Sequence, residues 1–360
     1  MDRFLSKFSS FILIISLTAS AKSLNYGVLN DHSFLIEKGV VNLEGSYLRV
    51  NDDLDIFNMR DSELGSLAKY GDSIGNLGGY QFEFSLGTTE NSNLFFNFEE
   101  WNIDYGGSNL KNSKFEIFGR YNLLQNKYAI INSLSLDLGG VFNSAKRVDL
   151  SNIGMMNSMI AKIYPNGDYS ISDSGAILKD GSETTFYDLS GNLQKPVVSI
   201  DDLSSSEIYL KMLFGKIVGD KTILDLFISY SYINIGTEVE VSPSELISKI
   251  SIPDLNRDEH VISAGFSLIS EFKYLLFEFS YIYSRIFREE GLRYIDYSNN
   301  VEMILSLPLS KNFLVFTGGE IMFQQFNRDL PYLYNRYTET QFDKKYGFAK
   351  FGLIYKFKGF

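Results

Sequence analysis

Apolar and polar residues alternate along this chain in one stretch after another. The cleanest run sets Leu224, Leu226, Ile228, Tyr230 and Tyr232 against Asp225, Phe227, Ser229 and Ser231. The same period recurs at Val41, Leu43 and Tyr47, at Tyr80, Phe82, Phe84 and Leu86, and at Leu94, Phe96 and Phe98. It continues through Phe115, Ile117 and Tyr121, through Leu134, Leu136 and Leu138, and through Ile208, Leu210, Met212 and Phe214. Five further runs are centred on Phe266, Phe279, Met303, Ile321 and Phe351. Successive side chains of an extended chain point to opposite faces, so the pattern predicts about twelve strands with one apolar and one polar face.

Alternation alone suits a soluble sandwich as well as a membrane barrel. The connections separate the two. Short joints fall near 88–93, 124–129, 218–221, 270–273 and 308–311, and longer ones near 51–76, 105–112, 144–205, 237–258, 288–296 and 327–344, strictly in between. A transmembrane antiparallel up-and-down β-barrel has tight periplasmic turns at one end and extracellular loops at the other, which gives this rhythm. Tyr230 and Tyr232, then Tyr281 and Tyr283, stand where strands enter long loops, with aliphatic residues and Phe before them. That is where an interfacial aromatic girdle belongs.

The first residues set the compartment. Arg3 and Lys7 precede an apolar stretch of about ten residues from Phe8 to Leu17, and Ala19-Ser20-Ala21 has the small-x-small form of a cleavage site. Residues 1–21 are expected to be a cleaved signal peptide, 22–38 a periplasmic N-terminal segment and 39–360 a single barrel domain with a long loop at 144–205. No cysteine follows the cleavage site, so no lipoprotein anchor is expected, and without any Cys there is no disulfide framework or thiolate chemistry.

Composition adds a payload of rings: 30 Phe and 23 Tyr, with one Trp and six Pro. The formal charge is -11, and removing the leader with Asp2, Arg3 and Lys7 makes it -12. Such acidity excludes nucleic acid as a partner, because phosphate binding needs clustered Lys and Arg.

The last strand, 346–360, places Ala349, Phe351, Leu353, Tyr355 and Phe357 in one register and ends on Phe360. In this the chain resembles the bacterial outer-membrane β-barrels as a class. That resemblance implies a Gram-negative outer-membrane location, contact with outer-membrane lipids, and recognition of the terminal aromatics by the barrel-assembly machinery. Tyr355, Phe357 and Phe360 would form the signal; Phe360 is out of register with Phe357, so either one closes it.

Among the connections, Ser242-Pro243-Ser244-Glu245 has the spacing of a helix start, and 61–70 before Gly71 is a second candidate helix. The 144–205 loop carries Met155, Met156 and Met159 and either folds inward or packs over the barrel rim. Enzyme chemistry has little to work with. The histidines are His32, in a polar segment where solvation is the default, and His260. Asp258-Glu259-His260 and the acidic 52–55 stretch resemble the omptin outer-membrane proteases in having an Asp-x-His pair and an acidic pair, although omptins have fewer strands. A phospholipase arrangement would need Ser263 beside His260, but the two lie on different faces. No nucleotide loop, metal cluster or cofactor motif occurs, and no enzyme activity is expected.

If the apolar faces meet lipid, the opposite faces line a lumen. The inward acids are then Glu44, Glu83, Glu99, Glu116, Asp137, Asp225, Glu278, Glu302 and Glu320, against the bases Arg120, Lys211 and Lys350. This excess predicts a hydrated interior and a porin-like channel for small polar, cationic solutes. Phe95, Phe118, Tyr209, Phe227 and Phe316 share those faces and would narrow it. They leave open an apolar conduit of the fatty-acid-transporter type, and the long loops leave open an adhesin or structural barrel.

Overall fold

In the computed structural model the strands close into a twelve-stranded antiparallel barrel. Residues 32–50, 74–105, 108–125, 130–146, 197–242, 255–293, 295–324, 326–335 and 345–359 are described, with short pieces between 148 and 194. The barrel strands are β1 Val40–Val50, β2 Ile74–Thr89, β3 Ser92–Tyr105, β4 Ser108–Gln125, β5 Ser133–Ala145 and β6 Val197–Val218. They continue as β7 Thr222–Ser242, β8 Arg257–Glu271, β9 Leu276–Phe287, β10 Tyr297–Pro308, β11 Phe313–Phe323 and β12 Lys345–Lys358. Each pairs with its neighbour in sequence, and β12 returns to β1 through partners running from Val40 and Lys358 to Arg49 and Ala349. Closure removes the free edges that an open sheet would expose.

The side-chain distribution is that of a membrane wall. Tyr80, Phe82, Leu138, Ile208, Leu226 and Phe351 are among the most exposed side chains, while Glu44, Glu83, Glu99, Asp137, Asp225 and Glu278 are buried. A soluble protein would not sort its residues this way; lipid outside a polar interior requires it. Tyrosines collect at both rims. Tyr47, Tyr80, Tyr230, Tyr232 and Tyr283 mark the loop end, and Tyr121, Tyr274 and Tyr355 mark the end with short turns. The chain is therefore an outer-membrane-type β-barrel.

Several expected boundaries shift. The joint expected at 105–112 is tight: β3 ends at Tyr105 and β4 begins at Ser108, so the hairpin projects as strand rather than as loop. The loop expected at 144–205 is shorter, because β6 begins at Val197 and Val148–Leu150 pairs with its first residues. β6 has 22 residues, about twice the nine to eleven that cross a bilayer. Its outer half lies beyond the two-faced membrane zone, where period-of-two patterning is no longer enforced. Ser242, the expected start of a helix, ends β7, and the rest of that candidate helix, the candidate at 61–70, the signal-peptide residues, the methionine cluster and Phe360 fall outside the described residues.

The interior is not uniform along the barrel axis. Toward the short-turn end, buried Ile304, Leu314, Phe316 and Ile354 form an apolar cluster, and Ile223, Ile269 and Leu276 form another with Phe34 packed against it. Each buried aliphatic side chain contributes roughly 1.5–3 kcal/mol relative to water. Charged inward residues occur at both levels, with Asp225, Arg120 and Asp137 toward the short turns and Glu259, Arg257 and Arg288 toward the loops.

Candidate functional site

Two chain segments enter the barrel from opposite ends. At the short-turn end, residues 32–39 run up the inside of the wall. Ser33 N–H donates to Asp225 Oδ1 at 2.9 Å, and its carbonyl accepts from the Ser133 and Ser135 hydroxyls. Arg120 donates to the His32 carbonyl while holding Asp137 through both carboxylate oxygens, at 2.7 and 2.8 Å. Glycines at 87 and 215 let the segment lie directly on the wall, since a Cβ there would collide with Glu37 and Ser33. The segment expected to be polar and solvated is thus partly buried inside the periplasmic mouth.

At the loop end, the connection between β11 and β12 folds inward. Gln324 turns the chain through a left-handed backbone conformation, φ 66°, which favours glycine and marks a forced turn. Phe326, Leu330, Tyr332, Leu333 and Tyr334 then bury completely or nearly so. Phe326 meets Trp101 at 5.7 Å between ring centroids, and Tyr332 donates to Asn112 Oδ1. The wall reaches back with arginines. Arg257 donates to the Pro331 and Tyr334 carbonyls at 2.8 and 2.6 Å, and Arg288 donates to the Asn327 carbonyl at 3.1 Å. Both arginines also hold Glu259, at 2.8 and 2.6 Å. The loop returns one charge of its own: Arg328 grips both oxygens of Glu207, at 2.9 and 2.5 Å. Burial opposes that charge, but Glu207 outweighs it and raises the Arg328 pKa. Burial likewise holds the Asp329 carboxyl above the usual aspartate range, although Lys114 and Arg328 pull it down.

Between the two segments lies a cavity of about 270 Å³. Its wall runs from Lys114, Glu116, Asp137 and Lys211 on β4, β5 and β6 on to Ser229, Ser231, Ser263, Ser284 and Ser298 of β7 to β10, and Arg328 and Asp329 close it from the loop. Glu116 accepts from the Tyr209 hydroxyl at 2.7 Å, and the Lys211 ammonium sits 4.3 Å from the centre of the Phe227 ring. Beside the cavity, Phe95 and Phe118 stack at 4.3 Å with the Arg120 guanidinium over both rings. Three of the inward aromatics, Phe95, Phe118 and Phe227, therefore carry cations.

Of the twelve residues expected to line a lumen, Glu116, Lys211, Glu302 and Glu320 are half-buried and the other eight are buried. They do not form one group. Glu44 and Glu83 are directly opposite across β1 and β2, as are Glu302 and Glu320 across β10 and β11, and Lys350 stands 3.7 Å from Glu44 and 4.0 Å from Glu302. Glu116, Asp137 and Lys211 line the cavity on another arc of wall. Glu99 pairs with Lys114 at 3.4 Å, and Asp225 holds the N-terminal segment.

The expected imbalance of charge is smaller than the strand pattern implied. Lys114, Arg257, Arg288 and Arg328 also face inward, with Glu207 and Glu259. A readable signal existed for Lys114, which shares the parity of Glu116 and Arg120 on β4. The apolar run Leu330-Pro331-Tyr332-Leu333-Tyr334 inside a long connection was the clue to the buried loop.

The Asp258 and His260 side chains stand on the outer face. His260 Nδ1 lies 2.7 Å from the Tyr230 hydroxyl and Asp258 accepts from Asn234 at 2.9 Å, so neither enters the mouth as a hydrolytic pair would need. Ser263 is buried on the inner face, as its parity required. The acidic 52–55 stretch is outside the described residues, and among those described no cluster of three or more His, Asp or Glu side chains could hold a metal ion. Tyr355 and Phe357 stack at 5.6 Å near the end of β12, which runs to Lys358.

No family model matches the chain, and no curated protein matches it in sequence. Among solved structures it is similar to the β domain of the Bordetella autotransporter BrkA, at 7% identity and TM-score 0.43 over 90% of this chain and 100% of that one. It is also similar to the translocator domain of the autotransporter NalP from Neisseria meningitidis, at 8% and 0.44 over 88% and 87%. A third is the NanC porin, at 9% and 0.40 over 88% and 100%. At such distances nothing about function passes from them to this chain.

Proposed function

We propose that this protein is a gated outer-membrane channel for small polar solutes, with a preference for cations, and that the inward-folded segment between β11 and β12 is its gate. The observation that carries this reading is the polar cavity held between two inserted segments, one of them fastened to the wall by ion pairs. A structural barrel has no use for such a chamber. The preference for cations is supported by the arc of Glu44, Glu83, Glu278, Glu302 and Glu320 around Lys350. Fixed carboxylates between low-dielectric walls concentrate counter-ions, and salt screens them beyond roughly 8 Å at physiological ionic strength.

The measurement is the reversal potential across a planar bilayer under a potassium chloride gradient. Wild type is expected to be cation-selective, most strongly in dilute salt. Replacing Glu83, Glu278 and Glu302 together by Gln is expected to keep conductance while selectivity falls. Anion selectivity in the wild type would overturn the charge reading. An intact barrel that stays silent even without the 326–334 segment would favour an adhesin or structural role.

A further inference from the structure

The cavity wall changes character along the sheet. On β4, β5 and β6 it is charged, and on β7 to β10 it is a field of hydroxyls. Four of those serines stand in one row across the strands: Ser229 of β7 is directly opposite Ser263 of β8, Ser263 is opposite Ser284 of β9, and Ser284 is opposite Ser298 of β10. Adjacent strands lie about 4.8 Å apart, so the row presents hydroxyls at a repeat close to that of alternate hydroxyls around a sugar ring. The middle two, Ser263 and Ser284, bond each other at 2.8 Å. The outer two, Ser229 and Ser298, have no hydrogen-bonding partner among the described residues, and Ser298 is more than nine-tenths buried where it lines the cavity. A serine hydroxyl rotates to donate or to accept, so the row suits a solute whose own groups do both.

The charged part of the lining disfavours an ionic solute. Three bases, Lys114, Lys211 and Arg328, stand among four acids, Glu116, Asp137, Glu207 and Asp329. They are interleaved and engaged: Arg328 grips Glu207, Arg120 holds Asp137, Lys114 pairs with Glu99, and Tyr209 donates to Glu116. Lys211 lies directly opposite Asp137 across β5 and β6. A solute with a net charge would meet both signs at once and lose its water for little return. A neutral one meets hydrogen-bonding groups already held in place by their ion pairs. Phe118, Phe227, Val141 and Ile282 add apolar surface on which C–H groups pack.

Building on the channel reading, we infer that the cavity is a binding site for a neutral monosaccharide, whose hydroxyls are read by the serine row. At about 270 Å³ it lies just below the roughly 300–1,000 Å³ of drug-sized pockets, which suits one ring and not a chain of them. Arg328 and Asp329 of the lining belong to the gate, so sugar and gate share one chamber. The acidic arc around Lys350 lies outside this lining and governs small ions, which keeps the two properties separable.

The test is ligand-observed saturation-transfer NMR on the full chain folded in detergent micelles. The probes are D-glucose and D-galactose, the uronate of each, and the protonated 2-amino form of each. At least one neutral sugar is expected to bind saturably, and its uronate and amino forms to bind about tenfold more weakly. Ser229→Ala with Ser298→Ala is expected to weaken the neutral sugar about tenfold, as for the loss of two uncharged hydrogen bonds. Ser85→Ala, which removes a buried hydroxyl outside the lining, is expected to leave binding unchanged. Heat-modifiable gel mobility confirms that each variant is a folded barrel. Saturable binding of neither sugar, tighter binding of a charged form, or equal loss in Ser85→Ala would overturn the sugar site. The channel reading would survive that result if the bilayer conductance persists, and it falls separately if the conductance is absent.

Discussion

The two inserted segments close the barrel by different physics. Residues 32–39 offer the wall mainly backbone: the carbonyls of His32 and Ser33 and the Ser33 N–H. The charged pair beneath them, Arg120 and Asp137, belongs entirely to the wall and is complete without the segment. The segment between β11 and β12 offers side chains instead. It buries aromatic rings, donates Arg328 to Glu207, and caps wall arginines that already share Glu259. Withdrawing the first segment would expose ordinary hydrogen-bonding groups. Withdrawing the second separates buried charges, and breaking one partner of such a pair costs roughly 3–5 kcal/mol. On the channel reading, the first is a stopper held mainly by backbone hydrogen bonds, and the second a latch whose closed position is set by charges that can be changed.

The largest expected effect breaks this contrast directly. Replacing residues 326–334 by a Gly/Ser linker is expected to raise single-channel conductance several-fold while heat-modifiable gel mobility stays that of a barrel. Unchanged conductance would show that this segment is no gate. A smaller effect is expected at the other end. Deleting residues 32–38 is expected to change conductance less than twofold while the latch is in place, yet to add to the first change when both are made. If the N-terminal deletion alone opens the channel as fully as removal of residues 326–334, the stopper and the latch have been assigned to the wrong ends.

The smallest expected effect concerns Asp329, which faces Lys114, Arg328, Glu99 and Glu207. Its carboxyl titrates above the usual range when docked, so docking favours the protonated form. That contribution is complete below the ordinary aspartate pKa of about 3.9 and is lost as pH rises through the higher docked value. Open probability should therefore rise with pH across this window in wild type. Asp329→Asn should flatten the profile. A steeper profile in the variant would reverse the sign assigned to this group.

The strands and the direction of their side chains were legible in the sequence, because lipid on one side and polar interior on the other leave a period of two that nothing else would maintain. Glu83 and Tyr80, three residues apart on one strand, fall on opposite faces by parity alone, one buried and the other exposed. Strand ends were less legible. Val197–Asp201 and Ser108–Leu110 continue the ladder where no membrane enforces alternation, so they read as loop. Least legible was which connection turns inward. The 144–205 loop was the longest, but insertion follows complementary chemistry, and the buried run Phe326 to Tyr334 meets Arg257, Arg288 and Glu207 on strands distant in sequence. The apparent nine-to-three excess of acids narrowed partly for the same reason: Arg257 and Arg288 sit at strand ends and Arg328 in the loop, whereas Lys114 shares the readable parity of Glu116 on β4.

The single tryptophan of the chain has a consequence for watching the protein work. Trp101 is almost fully buried on β3, with the Phe326 ring of the latch on one side and the Lys114 ammonium 6.0 Å from its own ring. Indole emission responds to the polarity and charge around the ring, and here one neighbour belongs to the latch and the other lines the chamber. Excitation at the red edge of protein absorbance therefore reports from one point, beneath the latch. Opening would admit water to that point and shift the emission to longer wavelength, so the unlabelled native chain carries its own optical record of whether the chamber is shut.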